Sequence, residues 1–410
     1  MATRIWEGGA PAVAQVVRLT PGGTIEADDR FQVTIGDRTL DIPAGGTTVA
    51  DVCDAIVAAW SAAGPEFDEI AAADKFTCVE LTAKTAGVPF EVSVSTTEAD
   101  GSPADGQTFT ASTITANQGP NCWDTASNWS GGAVPVTGDS VIIEDCADAI
   151  LYGLDQSSVT LASLEIRRSF TGYLGLPRRN SNGYAEYRPH YLKIGATQCR
   201  IGDGQGDGPY RVKLDFGSVQ TNCEVLHTRS ARPDSALPIV LLKGTSASNV
   251  LRVIGADVGL AYYGEDSANF SGGVTIDGGN LLAGPNVTLD SVELVDGLLQ
   301  TRSGVTTLNA YAGRLLIEGT AAVTNLTIYR ARARYASTGT ITNLKISGSG
   351  RLEIDRPCTI TNAELHGSGW ELADPAGLAT FTSGIDLVRC APQDGTLALP
   401  PHRTLTLSAI

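Results

Sequence analysis

Residues 323–340 read VTNLTIYRARARYASTGT. Arg330, Arg332 and Arg334 take every second position, with Ala331 and Ala333 between them, in a chain whose formal net charge is -16. A period of two marks an extended strand, which sends successive side chains to opposite faces. Related phrases flank this one: VTLDSVELVDGLLQTRSG (287–304), VTTLNAYAGRLLIEGTAA (305–322), ITNLKISGSGRLEIDRPCT (341–359) and ITNAELHGSGWELADPAGL (360–378). Their starts fall 18, 18, 18 and 19 residues apart. Repeats this short, each with two or three β segments and Gly or Asn at the corners, predict a mainly β fold built on a parallel β-helix, or β-solenoid. One turn of such a chain cannot bury its own apolar face, but stacked turns share a continuous core.

Laid over one another, the repeats place Leu315 and Ile317 against Ala333 and Tyr335, with Leu352 one turn further on. If Leu315 points inward, alternation sends Arg332 and Arg334 outward. Arg314, Arg332 and Arg351 then form a column on the outer wall, while Arg330 falls at a corner shared with Ala312 and Gly348. SGSGRLEID and HGSGWELAD match at their glycines but alternate in different phase, which leaves the register of the last turn open. Weaker copies reach back to residue 158, so 158–378 is assigned to the β-helix and 379–410 to C-terminal strands or a tail.

Residues 1–120 form a different block. RFQVTIGDRTLDI (30–42) predicts a hairpin with Phe31, Val33 and Ile35 on one face. TTVADVCDAIVAAW (47–60) has a Thr cap followed by apolar residues at helical spacing. Strands at 76–83, 89–96 and 108–116 complete a small α+β module with one helix on an antiparallel sheet. Residues 121–157 link module and β-helix, and Trp123 and Trp129 are candidate caps for the first turn, whose apolar core and unpaired edge need cover.

Composition narrows the function classes. Charged residues are 18% and hydrophobic residues 42%, which describes a packed chain, not a disordered one. The acidic balance disfavours nucleic acid and anionic lipid, and no apolar run is long enough to span a bilayer. No secretory signal is expected, since the N-terminus lacks an apolar core segment. The eight cysteines include no C-x-x-C pair and no His at metal spacing, so buried thiols are expected; a Cys122–Cys146 bridge is the alternative.

The loop GLPRRNSNGYAEYRPHY (175–191) gathers Arg178, Arg179, Tyr184, Tyr187, Arg188, His190 and Tyr191, a mixture typical of interfaces and sugar platforms. Together with Arg314, Arg332, Arg334 and Arg351, these arginines and tyrosines are the candidate interface or ligand surface. The column is expected to meet local counter-charges such as Glu318 and Glu353, or a partner chain. IGDGQGDG (201–208) lacks the ligand spacing of a calcium loop and reads as turn chemistry. Glu293, Asp296, Glu318, Glu353 and Asp355 are scattered acids, no pair of which is marked for glycoside hydrolysis. No catalytic residue, metal ligand or cofactor site is assigned.

Two segments carry a resemblance. FQVTIGDRTLDIPAGGTTVADVCDAIVAAW with LTAKTAGVPFEVSVS looks like small α+β modules of bacteriophage tail and virion structural proteins. WDTASNWSGGAVPVTGDSVIIED is similar to the lead-in of β-helical autotransporter passengers and phage fibres. The resemblance implies a non-enzymatic structural protein of a phage-like particle: a tail fibre, spike or capsid decoration assembled in the host cytoplasm. It would be a homotrimer docking onto other virion proteins, with cell-surface glycan as a further partner. The alternatives are a cell-surface adhesin with a β-helical passenger, extracellular in location, and a polysaccharide-degrading tailspike.

Overall fold

The computed structural model describes residues 2–232, 237–400 and 407–409. Strands make up 51% of the protein and helix 5%, with one α-helix, Val49–Trp60, so the fold is mainly β. Most strands belong to one continuous parallel sheet that closes on itself.

The opening stretch sits in the middle of that sheet as two strands, Val323–Ile328 and Arg332–Ser337. Leu326 lies between Leu308 and Leu344, and Ile328 between Ala310 and Ile346. Ala333 lies between Leu315 and Leu352, and Tyr335 between Ile317 and Ile354. Every one of these residues is buried, and the partners follow the expected register. Between them the outward positions carry Arg332 and Arg334, both exposed. Leu315 and Ile317 are 2% and 1% exposed, so the inside of the sheet is apolar at the positions that alternation selects.

Polar groups that do face inward are satisfied. The Tyr335 hydroxyl and Ser337 Oγ both donate to the carbonyl of Ala321, at 2.9 and 2.7 Å. Outward amides stack as well: Asn343 donates to Asn325 and Asn362 to Asn343, each at 2.8 Å. At one corner only glycine fits. Gly313 has φ +78°, and a Cβ there would lie 2.4 Å from the Gly297 carbonyl oxygen.

The parallel sheet takes in more of the chain than residues 158–378. Its first strand is Thr3–Ile5, which pairs with Ser140–Ile143, and that strand pairs in turn with Asp155–Arg167. At the other end Ile385–Val388, Thr396–Ala398 and Leu407–Ala409 add to the same sheet, so the assigned tail is partly sheet; residues 401–406 and 410 lie outside the described residues. The phase change after Ser347 is absorbed by pairing Leu352 with Leu372 while Leu344 faces Ala363.

The α+β module is therefore an insertion, not a leading block. After Ile5 the chain leaves the parallel sheet, and the Val13–Gln118 bridge closes the excursion. Inside it lie two antiparallel sheets, where the sequence predicts one. Ile70–Asp74, Val79–Ala83, Val16–Gly23 and Gln107–Thr115 form the first; Arg38–Pro43, Asp29–Ile35 and Val92–Glu98 form the second. Phe31, Val33 and Ile35 are fully buried, as the alternation requires. Thr48 and Asp51 form a reciprocal capping box that starts the helix, and Val52, Cys53, Ile56 and Trp60 are its buried face. No helix among the described residues is long and apolar enough to cross a membrane.

The two faces of one strand give a direct test. Leu315→Ala should cost about 2–5 kcal/mol in chemical denaturation, because it opens a cavity between Leu299 and Ala333. Leu316→Ala, one residue along on the outward face, should stay within about 0.5 kcal/mol of wild type.

Candidate interaction surfaces

The 175–191 loop is held in shape by its own turn. Asn180 Oδ1 accepts from the Asn182 amide, the Gly183 amide donates to the Asn180 carbonyl, and Asn180 and Glu186 amides close onto Tyr184 and Arg178. Folded this way, the loop lies against the α+β module. Arg188 is 3% exposed and spends its donors there: Glu69 Oε2 at 3.0 Å, the Pro89 carbonyl at 3.0 Å, Glu186 Oε1 at 2.7 Å and the Tyr184 hydroxyl at 3.0 Å. Asn182 adds a bond to Glu69 Oε1 at 3.0 Å. The Tyr187 ring packs on the module's core where Gly36 has no side chain; a Cβ there would come within 2.6 Å of it.

These contacts correct part of the expected surface. Tyr184, Arg188 and Tyr191 are buried; Tyr184, Arg188 and half-buried Tyr187 join two parts of one chain, leaving Arg178 and Arg179 exposed. Burial pushes the phenols of Tyr184 and Tyr187 well above the ordinary tyrosine range. Burial also works against the Arg188 charge, but the Glu186 hydrogen bond and the surrounding negative groups outweigh it and hold the guanidinium protonated. Glu69 and Pro89 are more than ninety residues away in sequence and carry no local mark, so sequence reasoning could not find them.

Beside this joint lies a cleft of about 550 Å³, lined by Arg178, Tyr191, Lys243, Tyr263 and several carboxylates. Lys243 Nζ lies 3.0 Å from Asp266 and 3.8 Å from Asp215, and the Tyr191 hydroxyl donates to Asp266 at 2.9 Å. Arg178 stacks over the Tyr263 ring at 4.3 Å and pairs with Glu265. The cleft is thus a network of paired charges and phenol faces, suited to holding a polar ligand. Asp215, Glu265 and Asp266 each already face a cation.

The arginine column forms in the expected register, Arg314 opposite Arg332 and Arg332 opposite Arg351. Its neutralisation is uneven. Arg351 reaches Glu353 at 3.7 Å and Glu371 at 3.5 Å, and Arg334 reaches Asp355 at 2.7 Å. Glu318 turns away to Arg302 and Gln300, at 3.5 and 2.8 Å. Among the described residues neither Arg314 nor Arg332 has an ion-pair partner. At the preceding corner Tyr311 and Tyr329 stack face to face, centroids 5.0 Å apart and planes 7° apart, each 37% exposed. A second stacked pair, Tyr173 and Tyr210, has the Arg229 guanidinium 4.0 Å above Tyr210. Neither pair was visible in the sequence, because each partner belongs to a different repeat.

The remaining candidates resolve as structure. Trp123 and Trp129 are buried, and with Trp6 they form a cluster whose centroids lie 4.6 to 6.5 Å apart; Trp129 Nε1 donates to the Trp123 carbonyl at 2.7 Å. Trp6 directly follows the edge strand Thr3–Ile5, so the indoles sit where the parallel sheet begins. Glu293 accepts from Asn309, and Asp296 from the Gly297 amide. Asp203 and Asp207 serve a turn and pair with Arg200 and Arg229. All eight cysteines are free thiols; burial pushes the Cys122 thiol up to about 11. No protein-family model matches this sequence, and no curated protein matches it.

Arg188→Ala should lower stability by about 3–5 kcal/mol, because Glu186 would be left buried beside lost donors. Arg179→Ala, on the same loop but exposed, should change the denaturation midpoint by less than about 0.5 kcal/mol. Equal midpoints for the two variants would remove Arg188 from its role in the joint.

Proposed function

We propose that the closed parallel sheet is a parallel β-helix with turns of about eighteen residues, and that the protein is a non-enzymatic structural component of a phage-like particle. In this reading the inserted module docks onto other particle proteins and the β-helix projects as a fibre, spike or capsid decoration. The observation that carries it is the manner of attachment. The module is threaded between the first and second strands of the parallel sheet and clamped by a buried Arg188, so force on one part is borne by the other. A hinge or enzyme lid would need the opposite, an exposed and weakly held connection. The likeness of residues 30–96 to virion modules supports the same reading.

A homotrimer, which the likeness to phage fibres implies, would suit the charge distribution. Arg314 and Arg332 stand one above the other with no ion-pair partner among the described residues, in a chain of net charge -16. An acidic surface on a neighbouring copy would neutralise them, and cyclic symmetry would repeat that contact around the axis. A second reading, an adhesin that holds surface glycan, is favoured by the exposed tyrosine pair at Tyr311 and Tyr329, since stacked ring faces suit sugar rings.

Solution mass tests the assembly. The full chain should run as a trimer, and the Arg314→Glu/Arg332→Glu double variant should run as a monomer with an unchanged circular dichroism spectrum. A monomeric wild type at micromolar concentration would sink the trimer, and selective glycan binding that is lost in Tyr311→Ala/Tyr329→Ala would favour the adhesin.

A further inference from the structure

In the strand Asp29–Ile35 the residues Asp29, Phe31, Val33 and Ile35 share the inward face, and all four are fully buried. Three belong there; an aspartate does not. Directly across the antiparallel pair, Asp29 faces Glu98, so two carboxylates occupy one cross-strand position. Like charges placed so are unfavourable. A third, the exposed Asp28, joins them, and one oxygen of each residue lies within 4.8 Å of those of the other two. None of the three has an ion-pair partner among the described residues.

The hydrogen bonds show which oxygens remain. Asp29 Oδ2 accepts from the Glu26 amide at 2.8 Å, whereas Oδ1 is buried with no hydrogen-bond partner. Glu98 Oε1 is held by the Asp105 amide at 3.3 Å and Gln107 Nε2 at 2.7 Å, which fixes its carboxylate in place. Burial raises the Asp29 pKa, and Glu98 and Asp105 push the same way against the Glu26 amide. A buried carboxylate with an unused oxygen, set beside two others, has no positive charge to balance it.

We infer that Asp28, Asp29 and Glu98 bind one divalent cation of the calcium class, fastening the 97–107 loop to the sheet. Carboxylate oxygens are hard ligands that suit calcium or magnesium and not the softer transition metals. Calcium is favoured because it accepts irregular sets of oxygens and fills its remaining positions with water, while magnesium demands near-octahedral geometry. The alternative for this cluster is a proton shared between Asp29 and Glu98 with no metal.

The test is calorimetric titration of chelator-treated full-length protein with calcium chloride at neutral pH, with magnesium chloride as a parallel arm. The expected result is one calcium per chain, bound more tightly than magnesium, together with a rise in the thermal midpoint. Asp28→Asn removes an exposed ligand and Glu98→Gln keeps the shape that Asp105 and Gln107 hold; each should weaken calcium binding by about ten-fold or more. Absence of calcium binding to the wild type, magnesium binding alone, or calcium binding that both variants retain would overturn the assignment.

Discussion

The middle of the parallel sheet, from Val305 to His366, depends on parallel pairing at a nearly constant offset. Strands that repeat every eighteen or nineteen residues stack like positions over like: leucine over leucine, asparagine over asparagine, arginine over arginine. For apolar residues this is favourable, since each buried aliphatic side chain contributes roughly 1.5–3 kcal/mol and none can be buried without its neighbours. For amides it is also favourable, because Asn325, Asn343 and Asn362 each present a donor and an acceptor and can form a chain. For arginines it is a cost, which the protein meets at Arg334 and Arg351 with nearby acids, while Arg314 and Arg332 have no ion-pair partner among the described residues.

The same rule constrains volume. Tyr335 fits between Ile317 and Ile354 because Ala331 and Ala333, its neighbours on the inward face, are small. Its hydroxyl then reaches the Ala321 carbonyl, so the largest side chain in that layer also closes a corner. Small and large residues alternate within a turn and do so differently in the next, so facing layers interdigitate.

What could be read from the sequence follows from the same physics. The opening stretch fixed its own register, because a period of two inside a period of eighteen allows one superposition; Leu315, Ile317, Arg332 and Arg334 all lie on the side the alternation assigns. The helix was legible from Thr48 and its apolar spacing. Illegible were the contacts between parts. Arg188 is surrounded by aromatic and polar residues that read as an exposed platform, and only Glu69 and Pro89, brought from a distant module, turn it into a buried clamp. The strand Thr3–Ile5 escaped notice because three residues carry no periodicity, and its partner lies beyond the whole insertion. Asp29 was hidden for a related reason, since its opposite number Glu98 lies beyond the strand expected at 89–96.

That displaced first strand has a consequence for biogenesis. Thr3–Ile5 is synthesised well before Ser140–Ile143, yet it cannot dock until that strand has been made. Its backbone must wait, unpaired, while the intervening module folds by itself from nearby contacts, which form sooner than distant ones. The last step at this end is then a stitch: the earlier-made strand is drawn back, with Trp6 packing on Trp123 and Trp129, to seal the edge. A bulky fusion at the N-terminus would obstruct that late closure while leaving the module itself intact.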